Sequence, residues 1–398
     1  MHKEQRLTVE ELALRMKRFR EKMTTIHSDW ELAVISSDVN LYYFTGTMQR
    51  GILLIEREEK AVFWVRRSIE RARMESCFSN IRGMKSFRDA VGEYPILPNT
   101  VYLEKNQATL SWYEMFSKYF HFEKTVGIDR LLQSVRSVKT EYEAALQVES
   151  GRRHRILAEE KIPLLLKEGI SEAELVGEIF NEAIKLGYQG LSRFSGVNGE
   201  MSLGYVAFSE SGLYPTSFDG PGGTIGTSFA TPFLGSTTRR LRKGDMVLVD
   251  FGFGCQGYST DKTALYSFGG KPDAIVQDTF QQCAELMWRT AEIMNPGAVP
   301  AEIYKAALNG TDSEFRHGLM GYRNNTVKFL GHGIGLHIDE YPVIAEGFNE
   351  PLQSNMTIAL EPKKGIEHYG LIGTEETFLI TESGAVCITG IDSKIICV

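Results

Sequence analysis

The chain is poor in the features that define several large classes of protein. It has five cysteines in 398 residues (Cys77, Cys255, Cys283, Cys387 and Cys397). Their odd number and the lack of closely spaced pairs leave reduced thiols in a reducing compartment as the reading, not a disulfide framework. No apolar run approaches the roughly 18 residues of a membrane span, and the opening Met1-His-Lys-Glu-Gln-Arg6 has no signal-peptide core, so a cytoplasmic location is expected. Positive charge is not in excess. With 44 Lys and Arg against 51 Asp and Glu the net charge is -7, which argues against nucleic acid or a membrane surface as the partner. The one short basic cluster, Arg239, Arg240, Arg242 and Lys243, runs into Gly244-Asp245 and reads as a solvated turn. No histidine occurs between His154 and His317, and there is no low-complexity tract or visible internal repeat.

What the chain does have is an α/β pattern in two parts. Residues 9 to 24 carry helical periodicity, and Leu32 to Ser36, Leu41 to Phe44, Ile52 to Ile55 and Ala61 to Val65 are short apolar runs that read as strands. These make a compact amino-terminal domain over residues 1 to 136. From Lys139 to Gly169 the chain turns rich in Glu, Ala, Leu and Arg with helical spacing, and Gly151 and Pro163 inside it predict a kink or break. A second helix is clearly punctuated: Ser171 and Glu174 form a capping box, an apolar stripe runs from Ala173 to Ile184, and Gly187 stops it. Phe194 to Leu241, dense in Gly, Ser, Thr and Pro and including Pro215 to Thr224, reads as a functional loop or a loosely ordered segment.

The chemistry concentrates in the last 150 residues. Met246 to Asp250 and Tyr258 to Thr263 read as strands, with Gly252, Gly254 and Gly257 supplying turn chemistry. A hairpin centred between Cys255 and Gln256 sets Asp250 directly opposite Asp261, with Cβ atoms roughly 5 Å apart. Like charges so placed are destabilising unless a cation lies between them. His332 sits in Gly331-His-Gly-Ile-Gly-Leu336, where glycines let backbone approach closely. Glu361 ends the apolar run from Met356 and is followed by Pro362, which marks a strand end. Glu375 opens the strand-like run to Thr381. Singly, each of these has a bland reading as a loop histidine or a solvated glutamate.

Together and in this order, Asp250 and Asp261, Gly331 to Leu336, Leu360-Glu-Pro362 and Glu375 to Gly384 resemble the motifs of the pita-bread metallopeptidases, the family of Xaa-Pro aminopeptidase, prolidase and creatinase. Upstream, Val39 to Gly46 is similar to a short motif in the amino-terminal domain of the creatinase and Xaa-Pro branch. The resemblance implies an α/β (α+β) chain: a creatinase-like domain over residues 1 to 136 and a pita-bread catalytic domain over residues 137 to 398. It implies two divalent metal ions, with Asp250 a ligand of one, Asp261 and Glu375 bridging, and His332 and Glu361 ligands of the other. Glu376 would stand behind them. Glu361 is also implied as general base. Four carboxylates and an imidazole suit manganese, cobalt, iron or zinc, and such a centre can supply hydroxide near neutral pH. Creatinase-branch relatives are commonly homodimers, so a homodimer is expected.

The departures from the family pattern are as specific as the matches. A substrate-side histidine is expected near position 233, which here is Phe233; a second is expected at position 339, which is Asp339; an arginine is expected at position 373, which is Gly373. His337 points to the same side as position 339 if Leu336 to Asp339 runs extended, and so takes the second histidine's place. Three readings follow: an Xaa-Pro-type metallopeptidase acting on peptides, a metal-dependent hydrolase or lyase of a small non-peptide molecule, and an inactive scaffold. The intact ligand set disfavours the last, and fold alone does not choose between the first two.

Overall fold

The computed structural model describes residues 6–58, 60–196, 199–217 and 219–398, so Phe218 in the glycine-rich stretch lies outside the described residues. The chain divides into two compact units, Met1–Arg136 and Ser137–Val398.

The first unit is a six-stranded sheet with helices. Helix α1 (Val9–Ile26) starts at Thr8, whose hydroxyl accepts from Glu11 N, and turns Leu12, Met16, Phe19 and Met23 inward at helical spacing. The strands are β1 (Leu32–Ile35), β2 (Gly51–Glu56), β3 (Ala61–Val65), β4 (Ile81–Gly83), β5 (Thr100–Leu103) and β6 (Lys124–Gly127), in spatial order β4-β3-β2-β1-β5-β6. β1, β2 and β3 pair antiparallel and the outer pairs are parallel. The apolar run Leu41 to Phe44 is a helix and not a strand. It belongs to α2 (Asp38–Thr45), where the Ser37 side chain caps the start and Gly46, at φ 74°, closes the end. Being buried on nearly every side, this helix has no polar stripe, and four apolar residues then look like a strand.

The second unit carries the candidate site. Helix α3 (Glu141–Ile156) opens with a Thr140–Glu143 capping box and runs unbroken through Gly151, where a Cβ would lie 2.1 Å from the Ile388 carbonyl oxygen. The glycine there serves a close approach, not a kink. The break comes further on, where the helix loosens through Leu157–Lys161 into a tight turn, Ile162–Leu164, that contains Pro163. Helix α4 (Glu172–Lys185) has the capping box of Ser171 and Glu174, and Gly187 follows at φ 89°.

Much of the glycine-rich stretch is tied down. It contributes β7 (Gly204–Phe208), and Glu172, in the first turn of α4, accepts from Phe208 N and Ser236 N at 2.6 Å each. β7 pairs with β8 (Met246–Cys255), which forms a long hairpin with β9 (Tyr258–Ser267). A second sheet contains β10 (Phe329–Gly333), β11 (Glu340–Ala345), β12 (Thr357–Leu360), β15 (Glu376–Thr381) and β16 (Gly384–Cys387), in the order β11-β10-β12-β15-β16. Between β12 and β15 the chain makes the short hairpin of β13 (Lys363–Ile366) and β14 (Gly370–Gly373). Thr263 and Glu375 exchange backbone hydrogen bonds of 3.3 Å, joining β9 to the start of β15.

Candidate metal centre

The hairpin presents both aspartates, but not face to face. Gln256 (φ 49°) and Gly257 (φ 99°) form a two-residue turn, because both take the positive φ that the tightest hairpins need. The turn therefore lies one residue further along than expected and the pairing shifts by two: Asp250 faces Thr263 instead of Asp261, and Asp261 faces Gly252. Since 250 and 252 share a face, the two aspartates still point to the same side, offset diagonally. At Gly252 a Cβ would meet Ile338 Cδ1 and Ser192 Oγ at 2.6 Å, which explains the glycine.

His332 lies on β10 beside β12, paired with Ala359. Its Nδ1 is 3.0 Å from the Gly333 carbonyl, an oxygen that can only accept, so Nδ1 carries the proton and Nε2 is left with its lone pair. Nε2 lies 3.7 Å from Glu361 Oε1 and 3.9 Å from Glu375 Oε1. Glu361 follows the last residue of β12, held where its backbone N donates to Leu330 O at 3.0 Å. Glu375 precedes β15, and Thr263 Oγ1 donates to its Oε2 at 2.9 Å. Asp261, His332 and Glu375 each offer a donor atom within 4.8 Å of the other two.

No sequence signature marks the group that fills the other half of this cluster. Lys363, first residue of β13, has a fully buried side chain whose Nζ donates to Asp250 Oδ2 at 3.1 Å, Glu361 Oε2 at 2.8 Å and Glu375 Oε2 at 2.8 Å. An ammonium has three donors, and all three are used. Burial by itself would drive off its proton, but Asp250, Glu361 and Glu375 overbalance it and hold the group well above the usual lysine range. Asp261, which keeps partial exposure, is pushed well above the carboxylate range by desolvation and then by Glu375 and Asp250. Glu375 is raised to about 7, by desolvation first and against the pull of Lys363. Tyr205 on β7, opposite Asp250 in the sheet, is a further missed neighbour: burial, then the charge of Asp250, raises its phenol well above the ordinary tyrosine value. Gly222 makes room for the phenol, since a Cβ there would come within 2.7 Å of its oxygen.

The remaining residues named from the sequence have partners of their own. Leu336 to Asp339 is a run of bends and not extended, with Gly335 N donating to His337 O at 2.9 Å. His337 is turned to Glu340, whose Oε1 accepts from its backbone N at 3.0 Å and lies 3.6 Å from its ring Nδ1. Asp339 accepts from Ser195 N at 2.8 Å and Ser195 Oγ at 3.3 Å, and burial raises its pKa. Phe233 is 43% exposed. Glu376 is buried with the Lys262 ammonium and accepts from Thr389 Oγ1 at 2.6 Å.

A family model described as metallopeptidase family M24 matches residues 149–382. The chain belongs to that family. Ahead of the M24 domain, a second model, creatinase/prolidase N-terminal domain, matches residues 15–138, so this is an M24 enzyme with a creatinase-type amino-terminal domain. An Xaa-Pro dipeptidase of Pyrococcus furiosus is 26% identical over 365 residues, covering 91% of this chain and 94% of the relative. An uncharacterized peptidase of Staphylococcus epidermidis is 24% identical over 370 residues, 91% of this chain and 95% of the relative. Among solved structures, a prolidase from Pyrococcus horikoshii matches with a TM-score of 0.78 at 20% identity, over 96% of this chain and all of that one. An X-Pro aminopeptidase from Thermotoga maritima matches at 0.74 and 22%, over 92% and 97%. These two likenesses establish the pita-bread architecture of the M24 domain. Among the described residues no helix is long and apolar enough to cross a membrane.

The three converging side chains fit one divalent cation. Asp261, His332 and Glu375 supply mixed oxygen and nitrogen donors at a spacing that a single ion can bridge. The Asp250 side does not fit a second ion in the same way, because Lys363 already uses Asp250, Glu361 and Glu375.

Proposed function

We propose that this M24 chain is a metal-dependent Xaa-Pro-type aminopeptidase or dipeptidase whose cation is held by Asp261, His332 and Glu375. The observation that carries this is the convergence of those three donors within 4.8 Å. The Xaa-Pro dipeptidase relative supports the substrate class. A bound divalent ion would polarise the scissile carbonyl and lower the pKa of a water. The chain's own residues do the rest. Glu361, with one oxygen on Lys363 and the other 3.7 Å from His332 Nε2, is placed to take a proton from the attacking water as general base. Gly333 fixes the His332 tautomer, and Thr263 orients Glu375.

A small non-peptide substrate is the second reading. It is favoured by Gly373, which offers no cationic side chain for a substrate carboxylate, and by Phe233 and Asp339 where the family resemblance implies histidines. The test is a panel of Xaa-Pro dipeptides, proline-free dipeptides and longer Xaa-Pro peptides, each assayed with manganese, cobalt, iron or zinc. Selective cleavage after the first residue of Xaa-Pro substrates supports the first reading, and no cleavage of any peptide sinks it. A homodimer belongs to the same reading on the strength of the creatinase-branch resemblance, and a cytoplasmic location on that of five free thiols; sedimentation of the purified chain tests the dimer.

A further inference from the structure

We propose that the Lys363 ammonium is a built-in cation that stands in for one of two metal ions, so that this centre binds one divalent ion and never two. The inference rests on the metal-dependent reading above and narrows it. Lys363 has no exposed side-chain surface, and its three donors meet three different carboxylates, those of Asp250, Glu361 and Glu375, at 2.8 to 3.1 Å. A metal ion on Asp250 and Glu375 would have to displace it. The displaced ammonium would then lie buried without partners, a strongly unfavourable state.

An independent observation lies across the strand. Gly373 pairs with Lys363 between β13 and β14, and a Cβ at position 373 would stand 2.6 Å from Lys363 Cα and 2.9 Å from its Cγ. Position 373 is where the sequence resemblance implies an arginine, and any side chain there would press on the lysine stem. The lysine and the missing arginine are thus two sides of one arrangement.

Metal content decides the matter. The full-length protein is stripped with chelator, saturated with Mn(II), desalted and measured by elemental analysis beside Lys363→Ala, which vacates the ammonium's place. The expected result is about one manganese per chain in the wild type and about two in the variant. Two per chain in the wild type, or no gain in the variant, would overturn the role of Lys363. Zero in both proteins would instead overturn the metal-dependent reading beneath it. If Lys363→Ala does not fold, the paramagnetic resonance of Mn(II) in the wild type still answers. An isolated-ion spectrum at saturation supports the proposal, and an exchange-coupled pair refutes it.

Discussion

Gly373 stands opposite Lys363 in the β13–β14 hairpin, with space for a hydrogen and nothing larger. The pair fixes where the positive charge of this site resides. Gly373→Ala should therefore act through crowding alone, because Gly373 does not have the positive φ at which a side chain strains the backbone. The expected loss of stability is about 1–3 kcal/mol, the usual cost of overpacking. Denaturant unfolding that leaves the midpoint unchanged would show that the hairpin has slack.

Asp261→Asn should separate stability from metal binding. In the metal-free protein Asp261 is pushed up by burial and by Glu375 and Asp250, so it costs stability when charged. Neutralising it should raise the unfolding midpoint of chelated protein while weakening Mn(II) binding at least roughly tenfold, since one of the three converging donors is lost. Calorimetric titration showing wild-type affinity would contradict the assignment of Asp261.

Glu361→Gln keeps shape and removes basicity. The rate should fall at least roughly a hundredfold, the scale of a lost general base, with the fold retained. Retention of the wild-type rate would mean that another group takes the proton.

Acid sensitivity has a specific source in His154 on α3. It is buried, with Nδ1 3.3 Å from Thr260 Oγ1, and burial followed by the charge of Lys262 pulls its pKa down to about 3. In the unfolded chain a histidine binds its proton near pH 6.5, roughly. The resulting stability is complete above that pH and is lost as pH falls toward the folded value. Going from about pH 7 to 5 should cost about 2 kcal/mol through this residue alone. His154→Gln should flatten that part of the pH profile of thermal unfolding, and identical slopes in the two proteins would contradict it.

The residues that were legible in the sequence are those with local signatures. Ser171 and Glu174 announce a helix start, Pro362 follows the last residue of β12 by two places, and Asp250, Asp261, His332, Glu361 and Glu375 sit in recognisable order. The hairpin pairing differs from the sequence expectation by two residues because Gln256 adopts positive φ, which glutamine seldom does, so the turn closes one residue later. An extended chain would point His337 toward the site, but glycines on either side of Ile334 and the bond from Gly335 N to His337 O curl that segment instead. Lys363 left no pattern of its own. A lysine at the head of a strand normally reads as solvated, and only its three carboxylate partners, which the fold brings together from distant segments, show that it points into the site.

A peptidase that uses one metal ion beside one internal ammonium should respond to metal at a single stoichiometry. Adding Mn(II) in steps to chelated protein while following hydrolysis of an Xaa-Pro dipeptide should give no activity without metal and a rise that ends at one equivalent per chain. A rise that continues to two equivalents would remove the ammonium's role, and activity that chelation does not abolish would remove the metal's.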